Sequence, residues 1–180
     1  MNKSFSARPK PANNNAKIFF ALTLFLSAVA FAFYFFMDRY KGIVGTVGLF
    51  ILVTAILIYT KYISPSFSYD VYPDADDVPV FVVRQLIGKR ITTLCRIELA
   101  DIISVKRETR AEAKAHKTPK EYRKYVYAPT LFPPEIYRLT VNSRYEKAEI
   151  VIEISAELCE LLNSLINEAK ELRAASPDEY

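Results

Sequence analysis

IFFALTLFLSAVAFAFYFFM, residues 18–37, and IVGTVGLFILVTAILIYTKYI, residues 43–63, decide how the rest of this chain is arranged. The first stretch runs 20 residues without a charge, and at a rise of about 1.5 Å per residue a helix of that length crosses a hydrocarbon core of about 30 Å. The second is uncharged over 42–60, with Tyr40 before it and Tyr59 and Tyr62 near its end, where amphipathic rings favour the headgroup zone. Only Asp38-Arg39-Tyr40-Lys41 lies between them. That is too short to do more than turn the chain, so the two helices are predicted to be antiparallel neighbours in a transmembrane hairpin, spans 18–37 and 43–63. Residues 64–180 follow as one soluble body.

Lys and Arg near a span resist translocation. The leading segment carries Lys3, Arg8, Lys10 and Lys17 against Arg39 and Lys41 in the turn, which puts the N-terminus and, after two crossings, the C-terminal domain on the cytoplasmic side of the cell membrane. A basic start followed by an apolar run and Ala28-Val29-Ala30 also fits a secretory signal with its cleavage site. Against that reading, the apolar run continues through Phe36, past the small residues. Gly42, Gly45 and Gly48 recur every three residues, and Ala28 and Ala32 are four apart on the other run. Small residues so spaced let helices approach closely in lipid, either within the hairpin or between two copies of it in a homo-oligomer. No acid or base interrupts the middle of either run, which argues against an ion path or proton relay.

The net charge of +4 is unevenly spread: residues 1–63 hold seven Lys and Arg and one Asp, so the remainder is slightly acidic. A nucleic-acid partner, which needs a clustered basic surface, is not indicated. Cys95 and Cys159 are the two cysteines and His116 the sole histidine, without the spacing of a disulfide framework or a metal site; no cofactor and no catalytic residue is assigned. Residues 1–16, with Pro9, Pro11 and Asn13-Asn14-Asn15, hold little apolar surface and are expected to be a disordered tail.

In the soluble body, Phe67, Tyr69 and Val71 alternate with polar residues as in a half-buried strand. The acidic turn 73–77 lacks the glycine and distant glutamate of a calcium loop. Strands are predicted over 80–86 and 90–97 around Gly88-Lys89, and again over 102–107. Residues 108–124 read as a long exposed charged loop, helical in its first half until Pro119, with His116 a solvated side chain inside it. A short strand follows at Tyr125 and Tyr127, then a hairpin of 136–141 with 148–154. Last, Leu158, Leu161, Leu162, Leu165, Ile166, Ala169 and Leu172 place an apolar stripe along a helix from Ala156 to about Arg173, capped by Ser155. Cys159 falls beside that stripe, where a half-buried structural thiol is expected.

Seven strands and a C-terminal helix resemble the element order of the pleckstrin-homology (PH) superfold. Arg96-Ile97-Glu98-Leu99-Ala100-Asp101-Ile102-Ile103-Ser104-Val105 is similar to the turn into the fourth strand of bacterial PH-like domain proteins, many of which carry a two-helix membrane hairpin. Tyr137-Arg138-Leu139-Thr140-Val141, and Val151-Ile152-Glu153-Ile154 running into Ser155-Ala156-Glu157-Leu158, resemble that family's last hairpin and helix start. The resemblance covers 64–172. It implies an α+β fold, a transmembrane hairpin followed by a seven-stranded antiparallel barrel with a C-terminal helix, and a binding or scaffold role that docks a protein partner. Inositol-lipid recognition by the family's first strand-to-strand loop does not fit Asp74-Ala75-Asp76-Asp77, which repels phosphate. The alternative contact with anionic lipid is the basic loop 106–124, with Lys114, Lys117, Lys120, Arg123 and Lys124 as the candidate residues. Finally, about three residues join Tyr62 to the first strand, and at ~3.6 Å per residue the sheet must begin close to the end of the hairpin.

Overall fold

The computed structural model describes residues 4–74 and 77–175. Two helices long and apolar enough to cross a membrane come first, with mean hydropathy 2.3 and 2.4 and nearly all of their surface open. Helix α1 is Asn15–Phe36, the single turn Asp38–Tyr40 reverses the chain, and α2 is Lys41–Ile58, prolonged by a π-helical turn Tyr59–Ile63. They run antiparallel: Phe20 lies 5.6 Å from the ring of Tyr59, while the buried Ser27 hydroxyl donates to the Gly48 carbonyl at 3.1 Å. Thr23, Thr46, Thr54 and Thr60 donate to carbonyls of their own helices, so these four hydroxyls are satisfied without water. Of the small residues singled out above, Gly45 and Gly48 do lie on the seam: a Cβ there would come within 3.3 Å of Tyr34 and of Ala30. Gly42 faces open space, and Ala28 and Ala32 are exposed.

The remainder is α+β, with two four-stranded sheets. The first has the order β1 (Phe5–Ala7), β2 (Pro65–Pro73), β3 (Pro79–Ile87), β4 (Arg90–Glu98); the second has the order β5 (Ile102–Thr109), β7 (Glu135–Asn142), β8 (Lys147–Ile152), β6 (Arg123–Tyr127). Gly88 turns β3 into β4 with φ +59°, a conformation that glycine adopts without strain. The single seven-stranded antiparallel barrel does not form, and the sheets do not close. Two features account for this: β6 pairs parallel with β8 and so becomes an outer edge, and β4, the outer edge of the first sheet, makes no backbone bond on its free side among the described residues. Helix α3 is Arg110–Ala115, and helix α4, Ala156–Ala175, buries Leu162, Leu165, Ile166 and Ala169 in the same core as Tyr69, Phe81, Leu139 and Ile150. Leu161 and Leu172 of its stripe remain exposed.

The leading segment is built into the domain. Phe5–Ala7 pairs antiparallel with β2, Phe5 opposite Val71, so residues expected to be disordered complete a sheet. Farther on, the Ala12 amide donates to Thr130 Oγ1 at 2.8 Å and to Glu153 Oε1 at 3.3 Å, and Asn13 Oδ1 accepts from the Asn15 amide at the start of α1. The polar composition reflects a side-chain turn bond and strand pairing rather than the lack of a partner. Of the acidic turn 73–77, residues 75 and 76 lie outside the described residues; Asp74 is ion-paired with Arg96.

Filling the Gly48 position of the hairpin seam is expected to be costly. Gly48→Leu should destabilise the paired helices by about 1–3 kcal/mol, read as an earlier unfolding midpoint of the full chain in a denaturing-detergent titration, whereas Gly42→Leu should leave that midpoint unchanged.

Candidate functional site: an open cleft between sheet edges

Where a barrel would close, a cleft of about 1020 Å³ opens instead. One wall is β4, whose consecutive residues from Leu94 to Glu98 line it; the other is formed by Tyr125 and Tyr127 of β6 and by the β7–β8 turn at Tyr145 and Glu146. Its floor is apolar, from Val141, Ala148 and Ile150. Leu94 is an extra residue in β4, since Val83 pairs with Cys95 and Arg84 with Thr93. Such a bulge bends the strand and re-aims its side chain. The rings of Tyr125 and Tyr127 stack with centroids 6.2 Å apart and planes 11° apart, and Tyr145 at the rim is 96% exposed.

Electrostatically the cleft is neutral inside and charged at its rim. Burial and the nearby Glu146 push the Cys95 thiol up to about 11, and burial pushes the Tyr127 phenol up to about 12, so both stay protonated at neutral pH. The carboxylates at the rim are matched: Asp74 by Arg96, Glu98 and Asp101 by Arg173, and Glu146 by Arg123 at 3.6 Å. The site therefore offers an unpaired strand edge, aromatic faces and a dry floor. Cys159, on α4, is half-buried and its thiol is also raised by burial, with Asn163 Nδ2 donating to its sulfur at 3.6 Å.

A second polar cluster lies on the outer face of the second sheet. Arg138 is 3% exposed and Glu108 1%. The guanidinium donates to Glu108 through Nε and Nη2, at 3.0 and 2.7 Å, and to Glu149 through Nη1 at 2.9 Å. From the segment after α3, His116 Nε2 lies 3.0 Å from Glu149 Oε1, and the Thr118 hydroxyl donates to Glu149 Oε2 at 2.7 Å. His116 is therefore not a solvated side chain, and residues 108–124 are not a free loop: they form a strap held to β8. The strap begins at a capping box, in which the Thr109 amide donates to Glu112 and the Glu112 amide to Thr109. The Arg138 hydrogen bonds hold the Glu108 carboxyl below its ordinary range against the opposing effect of burial. Burial raises the Glu149 carboxyl, but hydrogen bonds from Thr118 and His116 outweigh it and leave a net lowering.

The basic residues expected to touch lipid fall on several elements. Lys114 is exposed on α3, Lys117 and Lys120 are exposed along the strap, and Lys124 is exposed on β6 opposite Glu149. Arg123 is the partner of Glu146. The strand register puts Arg123 four residues, about 13 Å along the strand, from Tyr127, whose ring lies 6.4 Å from that of Phe67 near the start of β2. Among the described residues no group of three or more His, Cys, Asp or Glu is placed to hold a metal ion. Comparison with protein-family models, with curated proteins and with solved structures gives no match.

The buried cluster yields a stability prediction. Arg138→Met strands two carboxylates and should cost about 3–5 kcal/mol, whereas adding Glu108→Leu and Glu149→Leu to it should recover most of that loss. Because both carboxyls titrate lower in the fold than in the unfolded chain, their contribution is fully present above about pH 4.3 and lost as pH falls through the folded values. Denaturant melts at falling pH should show that loss in the native chain and a weaker one in the triple variant.

Proposed function

We propose that this protein is a membrane-anchored binding module, an open variant of the PH-like architecture, that captures an extended segment of a protein partner by strand addition at β4. The observation that carries the reading is the cleft: an edge strand unpaired along one side, facing stacked tyrosines across an apolar floor. Backbone pairing supplies affinity in such a mode, and pockets for alternate side chains supply selectivity. The PH-like comparison rests on the meander β2–β3–β4 and on the C-terminal helix that seals the core; the parallel β6 and the open seam depart from it. A second copy is a poorer occupant of the edge. Two-fold pairing of β4 about Thr93 sets Arg90 against Arg96, and like charges directly opposite each other destabilise a sheet.

The anchor follows from the hairpin, and its orientation from the basic residues of the leading segment: both ends of the hairpin open onto the domain, on the cytoplasmic side of the cell membrane. Held there, the cleft samples partners in the plane of the membrane. The test is site-specific photocrosslinking in native membranes, with a photoreactive residue at Leu94, at Tyr145 or at the exposed Leu161 of α4, which does not line the cleft. One adduct common to Leu94 and Tyr145, absent at Leu161 and abolished by Ile91→Pro, whose N–H faces the free edge of β4, is the expected result. Adducts indifferent to position, or unaffected by the proline, would defeat the reading.

A further inference from the structure

At the foot of the hairpin a second cavity, of about 410 Å³, lies between the leading segment, the start of α1, the π-helical turn and the start of β2. Its depth relative to the apolar surface is set by the chain. Lys17 immediately precedes the apolar run of α1, and Tyr62 and Ile63 end that of α2. With the hairpin in a bilayer, the cavity is at headgroup level. Pro9, Pro11, Pro65 and Pro129 form much of its wall, and because proline fixes its own φ the space is preformed rather than made by a ligand.

The lining carries Lys10 and Lys17 and no acidic residue. Both lysines are exposed and have no ion pair among the described residues, in contrast to the rim of the larger cleft, where each carboxylate has a cation. Leu131 and Ile63 add an apolar side. A phosphate that bears a glyceryl ester satisfies all of these: its anion meets the ammonium groups, the amide of Asn14 is at hand for its polar ester, and its chains continue into the hydrocarbon beside α1. We infer that this cavity holds the headgroup of one anionic phospholipid, wedged between the leading segment and the anchor. The inference rests on the membrane-anchoring part of the proposed function and is independent of the peptide cleft.

The experiment uses the full chain in mild detergent, relipidated with equal amounts of phosphatidylglycerol and phosphatidylcholine and read by native mass spectrometry. One retained phosphatidylglycerol per chain, in preference to phosphatidylcholine, is expected. Lys10→Gln with Lys17→Gln should reduce that preference by on the order of tenfold, while Lys114→Gln with Lys124→Gln should leave it intact. Both pairs are exposed, so folding is checked by an unchanged melting profile. Equal retention of the two lipids, a preference that survives the Lys10/Lys17 change, or displacement of the lipid by millimolar inorganic phosphate would overturn the inference while the anchor stands. Failure of the chain to enter phospholipid nanodiscs would overturn the inference and the anchoring together, and so separates the two.

Discussion

The arrangement depends on one geometric constraint: a hairpin returns both of its outer ends to the same place. Asn15 begins the first helix where Ile63 ends the second, so the leading segment and β2 start side by side. Everything that joins hairpin to domain exploits that adjacency. Phe5–Ala7 extends the sheet that Pro65–Pro73 opens, and Ala12 reaches Thr130 and Glu153 at the end of β8. Phe132, strained at φ +61°, packs its ring 6.1 Å from Phe19 of the first helix, with the Arg110 guanidinium 4.8 Å above it. The domain is therefore gripped at two points rather than hung from one, and a single flexible link is not a fair picture of it.

Inside the domain, the same economy decides which strands pair. Tyr69 has no exposed surface; its hydroxyl donates to the Tyr127 carbonyl at 2.6 Å and accepts from the Glu153 amide at 3.3 Å. One phenol thus bridges the first sheet to the C-terminal ends of β6 and β8. With that end of the interior stapled and α4 sealing another side, the remaining opening is along β4, and that is where the cleft lies.

Much of the local structure was legible in the residues, because periodicity is a local signal: the two apolar runs, the Gly88 turn, the 136–141 hairpin and the C-terminal helix all follow from spacing alone. What was not legible is non-local. Tyr125 and Tyr127 announce a strand but cannot say that it pairs parallel with β8, and that choice is one of the two that separate an open pair of sheets from a closed barrel. Glu108 reads as one more charge in a charged stretch; only the β5–β7 pairing brings it to Arg138. A partial signal was present, since the predicted hairpin already sets Arg138 and Glu149 on one face, diagonal to each other. His116 was misread for the same reason: its partner is 33 residues away. Among residues 1–16 the asparagines and prolines matched a disordered composition, but Asn13 closes a turn ahead of α1 and Pro9 and Pro11 wall the second cavity, roles that composition does not distinguish.

The contact between Ala12 and Glu153 spans 141 positions of the chain, and this sets an order of events during synthesis. The hairpin and β2 are complete long before β8 exists, so Phe5–Ala7 can pair with β2 early, while Ala12 must wait for Thr130 and Glu153. Local pairings form early, and contacts of large sequence separation wait for the loop between them to be closed. The leading segment is thus fastened in two stages, its strand on β2 first and Ala12 only once Thr130 and the end of β8 are present.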